Sequence, residues 1–132
     1  MISHIHIGTN DLMAAKRFYQ PLMVRLGWRL RFCDLDRGWA GWEPAEGGRP
    51  LFLLGRPQDG GIAAAGNGTM VALLALDRTT VDDIHRMAIG AGAANEGDPG
   101  LRPHYHPDYY GAYFRDLDGN KICVCCHAAP ID

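Results

Sequence analysis

The sequence predicts an α+β domain built from one βαβββ unit used twice, with two helices packed on the outer faces of a curved mixed sheet. Three observations lead there. His4 and Met70 stand 66 residues apart, half the length of a 132-residue chain, and the segments after them are alike. His4-Ile-His-Ile runs into Thr9-Asn10-Asp11 and then an apolar helical face, while Met70-Val-Ala-Leu-Leu runs into Asp77-Arg78-Thr79 and another, with Asp11 and Asp77 at the same offset. Third, Asp118-Gly119 is a strong hairpin signal, because a type I′ turn needs positive φ at both central residues. Such a duplication places a ligand site between two related halves.

Residues 2–8 alternate as a strand. A helix is expected from about Asp11, capped by Asn10 or Thr9 with the acid in its first turn. Leu12, Ala15, Phe18, Tyr19 and Leu22 form its apolar face. Pro21 is expected to kink it or end it early, and Gly27 suits its terminus. Trp28–Cys33, Gly38–Glu43 and Leu51–Leu54 read as short strands separated by turn sequences. The first unit spans 1–57 and the second 66–128, joined by a Gly-, Ala- and Pro-rich linker at 58–65. In the second unit, Thr69–Leu76 reads as a strand. The helix from Thr80 to Gly90 is capped by Thr79 or Thr80 and buries Val81, Ile84, Ala88 and Ala91. Ala94–Leu101 reads as a loop or short edge strand. Tyr109–Arg115 and Lys121–His127 complete the set as strands.

A chain of this length folds as one domain with one core. Net charge is −2 with both signs interspersed, and no basic stripe marks a nucleic-acid partner. No apolar run is long enough to span a membrane. The first residues lack the basic, apolar and small-residue segments of a secretory signal, so a cytoplasmic location is expected. Gly makes up 17 residues, roughly twice the usual share, which suits tight turns and a bent sheet. Of the four Cys, Cys123, Cys125 and Cys126 crowd together, unlike a disulfide framework. Cys125-Cys126-His127 has no second ligand pair for a structural zinc site, and buried thiols are the expectation.

The opening His4-Ile-His-Ile-Gly-Thr-Asn-Asp11-Leu with Arg17-Phe18-Tyr19, and the closing Tyr110-Gly-Ala-Tyr-Phe-Arg-Asp116-Leu-Asp118-Gly119-Asn120-Lys-Ile122, carry a family resemblance. The chain resembles the vicinal oxygen chelate superfamily: glyoxalase I, bleomycin-resistance proteins, fosfomycin-resistance enzymes and extradiol dioxygenases. Arg102-Pro-His-Tyr-His-Pro-Asp-Tyr-Tyr110 is similar to a bacterial glyoxalase-like subgroup. The resemblance covers nearly the whole chain. It implies two βαβββ modules forming a cup around a divalent metal, often as a homodimer. It also implies ligands from the first strand of each module and the last strand of the second. Those positions are His4, Met70 and Cys123 here. Many members carry His, His and Glu there, so only His4 matches, and Leu51-Phe-Leu-Leu54 offers no acid either.

Met is a neutral, soft donor that does not replace imidazole for Ni²⁺, Zn²⁺, Mn²⁺ or Fe²⁺. Two functions are therefore expected in competition. One is a divergent glyoxalase-like lyase or dioxygenase relative acting on a small oxygenated molecule. In it His4, Met70 and Cys123 hold a divalent or soft ion (Zn, Ni, Fe or Cu), and Cys123 serves as catalytic base or replacement ligand. The other is a metal-free small-molecule-binding protein of the bleomycin-resistance type, which needs a cleft with a few polar anchors and no cofactor. His6 shares a face with His4, as strand residues two apart do, and Cys125 shares one with Cys123. His6, His104, His106 and Tyr110 are the expected substrate contacts. His85 is expected on a helix surface and His127 at a strand end. Trp28, Trp39 and Trp42 are expected in the core or a dimer contact. Partners are a small ligand and a second copy, with no nucleic acid and no membrane.

Overall fold

A computed structural model describes residues 1–130. The elements run β1 (His4–Gly8), α1 (Leu12–Arg25), β2 (Trp28–Asp34), β3 (Trp39–Pro44), β4 (Leu51–Gly55), β5 (Val71–Leu74), α2 (Arg78–Gly90), β6 (Ala94–Leu101), β7 (Tyr110–Arg115) and β8 (Lys121–Cys126). The β-α-β-β-β order thus occurs twice. The strands form two four-stranded sheets, ordered β1-β4-β3-β2 and β5-β8-β7-β6. β1 runs parallel to β4 and β5 parallel to β8, while the other pairs are antiparallel. Each short first strand therefore returns beside the last strand of its own unit, which the intervening helix makes possible. No strand of one sheet has a Cα within 8 Å of a strand of the other.

Alternation along the strands divides each sheet into a helix-covered face and an open face. Ile7, Ala40, Trp42, Phe52 and Leu54 of the first sheet join Val71, Leu73, Ala112, Phe114, Ile122 and Val124 of the second in one core cluster. α1 adds Ala15, Phe18, Tyr19, Leu22 and Met23, and α2 adds Val81, Ile84 and Ala88. The Phe18 and Phe114 rings meet edge to face at 6.1 Å. The two helix-covered faces thus share one core, and the two open faces look away from each other.

Both helices are capped one or more residues from where local signals put the cap. Asp11 caps α1 by accepting from the Ala14 N–H at 3.1 Å, not Asn10 or Thr9. Asp77 caps α2 by accepting from the Thr80 N–H at 2.8 Å and its hydroxyl at 2.6 Å, not Thr79 or Thr80. Those two bonds hold the Asp77 carboxyl below its ordinary range. The duplicated aspartates are duplicated caps. Thr9 is buried and bonds Asp11, while the Asn10 side chain takes the Ala63 N–H at 2.7 Å and donates to its carbonyl at 3.1 Å. That exchange pins the linker to the start of α1.

Pro21 does not end α1, which continues to Arg25. Pro21 and Arg17 lie on the exposed side, where water can take the carbonyl that the missing N–H leaves free. Ala94–Leu101 is an eight-residue edge strand with register shifts, not a loop. His85 is buried rather than on the surface, with its Nε2 3.0 Å from Asn95 Oδ1 of that strand. The closing hairpin is not type I′, because among the described residues positive φ occurs only at glycines. Gly119 alone supplies it here, at 86°. The Asp116 carboxylate replaces the second strained residue by accepting the Asp118 and Asn120 N–H groups, each at 2.9 Å.

Candidate functional site

β8 sends Ile122, Val124 and Cys126 into the core and Cys123 and Cys125 to the open face of the second sheet. Tyr113 lies across from Cys123, and Gly111 from Cys125. The loop between β6 and β7 curls back over them, closed by the Arg102 N–H donating to the Tyr109 carbonyl at 2.9 Å. Tyr109 therefore lies over the thiols. Its hydroxyl is 3.0 Å from the Tyr113 hydroxyl and 3.5 Å from Cys123 Sγ. Cys123 is 0% exposed in consequence. His106 Nε2 meets His127 Nδ1 at 2.8 Å, and His127 Nε2 stands 3.7 Å from Cys125 Sγ. His104 stacks on Tyr105 at 4.3 Å, and Tyr105 on Tyr109 at 4.9 Å. Arg102 and Lys121 lie over the Tyr113 ring at 5.5 and 5.8 Å. The result is a wall of imidazoles and phenols above a sealed pair of thiols.

These contacts set the thiol chemistry. The Cys125 thiol, then the Tyr109 and Tyr113 hydroxyls and the Arg102 charge, favour a Cys123 thiolate against the cost of burial, and bring it down to about 7. Cys125 is driven far up, because it donates to Cys123 and is itself buried. Burial first, and then its bond to Cys123, raises Tyr109 as well. Tyr109 therefore stays a neutral donor.

The open face of the first sheet carries His4 and His6, both exposed. His4 Nδ1 pairs with Ser3 Oγ at 2.9 Å. The His6 ring packs against Gly55, where a Cβ would sit 2.6 Å from Nε2. Leu51 and Leu53 flank the histidines in register, and Phe32 packs on Trp39 at 4.7 Å. The sequence reading missed Glu43, whose carboxylate takes Arg29 at 2.9 Å and Arg31 at 3.1 Å. The Arg29 bond comes first among the causes that hold it below its ordinary range. Arginines two apart opposite a lone strand acid were the available signal.

Of the expected site residues, the fold gathers His106 and Cys123 on one face, with His104 at its rim. Tyr110 sits on the helix-covered side, where its hydroxyl donates to Asp82 at 2.6 Å and braces α2 on β7. Met70 precedes β5 and is 41% exposed. β1 has no Cα within 8 Å of β5 or β8. Among the described residues no three His, Cys, Asp or Glu side chains are grouped to hold an ion. Within one chain the donor set fits a hard divalent cation poorly: the Cys123 thiol is sealed and Met70 offers a thioether.

Paired βαβββ units back to back on one core, each with an open sheet face, define the glyoxalase and bleomycin-resistance class of fold. The chain belongs to the Glyoxalase/Bleomycin resistance protein/Dioxygenase superfamily, whose sequence profile matches residues 1–124. A glyoxalase/bleomycin resistance protein from Albidiferax ferrireducens T118 is 32% identical, over 97% of this chain and 99% of its own, with a TM-score of 0.82. The lactoylglutathione lyase of Agrobacterium tumefaciens shares the fold at 21% identity, 96% and 92% coverage and a TM-score of 0.67. TioX from Micromonospora sp. ML1 shares it at 19% identity, 97% and 99% coverage and a TM-score of 0.61. No curated protein matches the chain in sequence.

Proposed function

We propose that the protein binds a small oxygenated organic molecule on its open sheet faces, without a resident hard metal ion. The observation that carries this is the sealing of Cys123 beneath Tyr109 and Tyr113, which withdraws a donor the family position would offer. What remains accessible suits an organic ligand: the half-buried Phe32 and Trp39 as apolar surface, with His6, His104 and His106 as polar anchors. Elemental mass spectrometry on tag-free protein, after incubation with Ni²⁺, Zn²⁺, Mn²⁺ and Fe²⁺ and desalting, should find no stoichiometric metal in the wild type or in Cys123→Ala. One equivalent in the wild type, lost in His4→Ala or Cys123→Ala, would replace this reading with the second. That second reading is a divergent lyase-like enzyme with a soft His4–Met70–Cys123 site, and the lowered Cys123 thiol favours it.

The working unit on this proposal is a homodimer. Each open face looks away from its counterpart in the same chain, and β1 and β5 are free sheet edges. Leu74 and Leu76 stand exposed at and just beyond the end of β5, an arrangement that invites pairing. Sedimentation should give twice the 14.5 kDa chain mass. Leu74→Asp should return it to the monomer, and a wild-type monomer at all concentrations would rule the dimer out.

A further inference from the structure

The linker does more than join the units. Together with the end of β1 it encloses a cleft of about 590 Å³, whose walls include His6, Arg56, Gln58, Asp59, Ile62 and Ala63. That volume is in the range of small-molecule sites. The outer wall is fixed, because the Asn10 amide holds Ala63 by two hydrogen bonds. The charged wall is fixed too. Arg56 lies across Gly38, which has a φ of +75° and where a Cβ would stand 2.1 Å from Nε. One guanidinium N–H donates to the Leu35 carbonyl at 3.1 Å. Among the described residues Arg56 forms no ion pair, so its charge and its other N–H donors are uncommitted. The acid in the cleft, Asp59, forms no ion pair with Arg56, and its Oδ1 accepts the Gly61 N–H at 2.8 Å. His6 is held against Gly55 on the sheet side. Ile62, Pro57, Ala63 and Ala64 supply apolar cover.

An oriented guanidinium without an ion partner beside an imidazole, in a cleft where Gln58 and Asp59 join small apolar groups, matches one ligand chemistry. We propose that this cleft binds a small organic anion, a carboxylate carried on a compact apolar body, with Arg56 pairing the carboxylate and His6 contacting it from the sheet. The proposal rests in part on the small-molecule reading above, because His6 belongs to the same open face, and it assigns the charge class of the ligand. Arg56 suits the task because a guanidinium fork matches a carboxylate in two parallel bonds.

The test is titration of ¹⁵N-labelled full-length protein with benzoate, and with benzamide as the neutral probe, at constant ionic strength. Benzoate should shift the amides of residues 56–64 and Gly8 saturably, and bind about tenfold more tightly than benzamide. Arg56→Gln should weaken benzoate about tenfold and leave benzamide unchanged. Gln58→Glu, at an exposed position where folding is not at stake, should weaken benzoate several-fold through like-charge repulsion. Equal affinity for the two probes, or indifference to both substitutions, overturns the assignment. Benzoate shifts confined to the Tyr109 and His127 face would also overturn it while leaving the small-molecule reading in place. Stoichiometric metal in the elemental analysis would overturn that reading and leave this cleft untouched.

Discussion

Replacing Asp116 with alanine is expected to lower the unfolding free energy by about 4 kcal/mol, the upper range for a single substitution. The side chain is buried and serves three partners at once. Oδ2 accepts the Tyr19 hydroxyl at 2.6 Å, and Oδ1 accepts the Asp118 and Asn120 N–H groups. The Asn120 amide reaches the carboxylate at 3.0 Å and the Gly8 carbonyl at 3.0 Å. Alanine would leave the Tyr19 hydroxyl unpaired in the core and remove the clamp of the β7–β8 turn. Burial, and then the Asp116 charge, push the Tyr19 hydroxyl well above its ordinary value, so it remains a donor. Asp116→Asn keeps one acceptor oxygen and should cost about half as much. Urea melts with an unchanged slope would measure both. A loss below about 1 kcal/mol for alanine would mean that the turn and Tyr19 find other partners, and that Asp116 is no hub.

Tyr109→Ala is expected to open Cys123 to solvent. In the native protein Cys33 alone of the four free thiols is partly exposed, so a thiol-specific disulfide reagent should modify one thiol quickly. Cys123 must wait for local opening, which costs several kcal/mol beneath a packed ring. Removing that ring should speed its modification by roughly a hundredfold or more. A Cys33→Ser background and mass mapping would assign the site, and continued protection of Cys123 would show that Tyr109 is not its cover. Tyr109→Phe separates cover from charge, because the ring stays and the hydroxyl goes. The thiolate, which forms in the wild type as pH rises through about 7, should form at a higher pH in this variant, nearer the ordinary value of 9.0. Ultraviolet thiolate absorbance reads that midpoint.

The 66-residue offset makes the architecture legible, since it locates both strand-helix starts and pairs the two aspartates that cap the helices. Apolar spacing finds Ala15, Phe18, Tyr19, Leu22, Val81, Ile84 and Ala88 on the buried helix faces, but Ala91, expected there too, is the exposed C-cap of α2, where the helical period has ended. The failures are tertiary. Local pattern puts His85 on a surface because its partner, Asn95, lies on an edge strand too polar to announce itself. Pro21 signals a stop in a helix whose packing through Leu22 and Met23 outweighs one lost bond. Tyr110 groups with its loop neighbours in sequence, although strand parity turns it to the helix side. Nothing in Arg102–Tyr109 says that the loop folds back over Cys123. That depends on a bond between its own ends and on a thiol more than ten positions further on. The pinning of the linker by Asn10 is equally silent, since local order cannot show a contact 53 residues away.

The clasp between the two units sets an order of events for the growing chain. Asn120 holds the Gly8 carbonyl from 112 residues away, and Asp118 accepts the Asn10 N–H from 108. The first unit can form its sheet and helix as it leaves the ribosome, but Tyr19 has no Asp116 to meet until 97 further positions have been made. Closing contacts of such range is slow, and the first unit carries an uncovered aromatic seam until the second has formed. The seam is shut by the β7–β8 hairpin of the second unit, so cooperative stability comes in one late step, when the turn of that hairpin docks against the end of β1 and the start of α1.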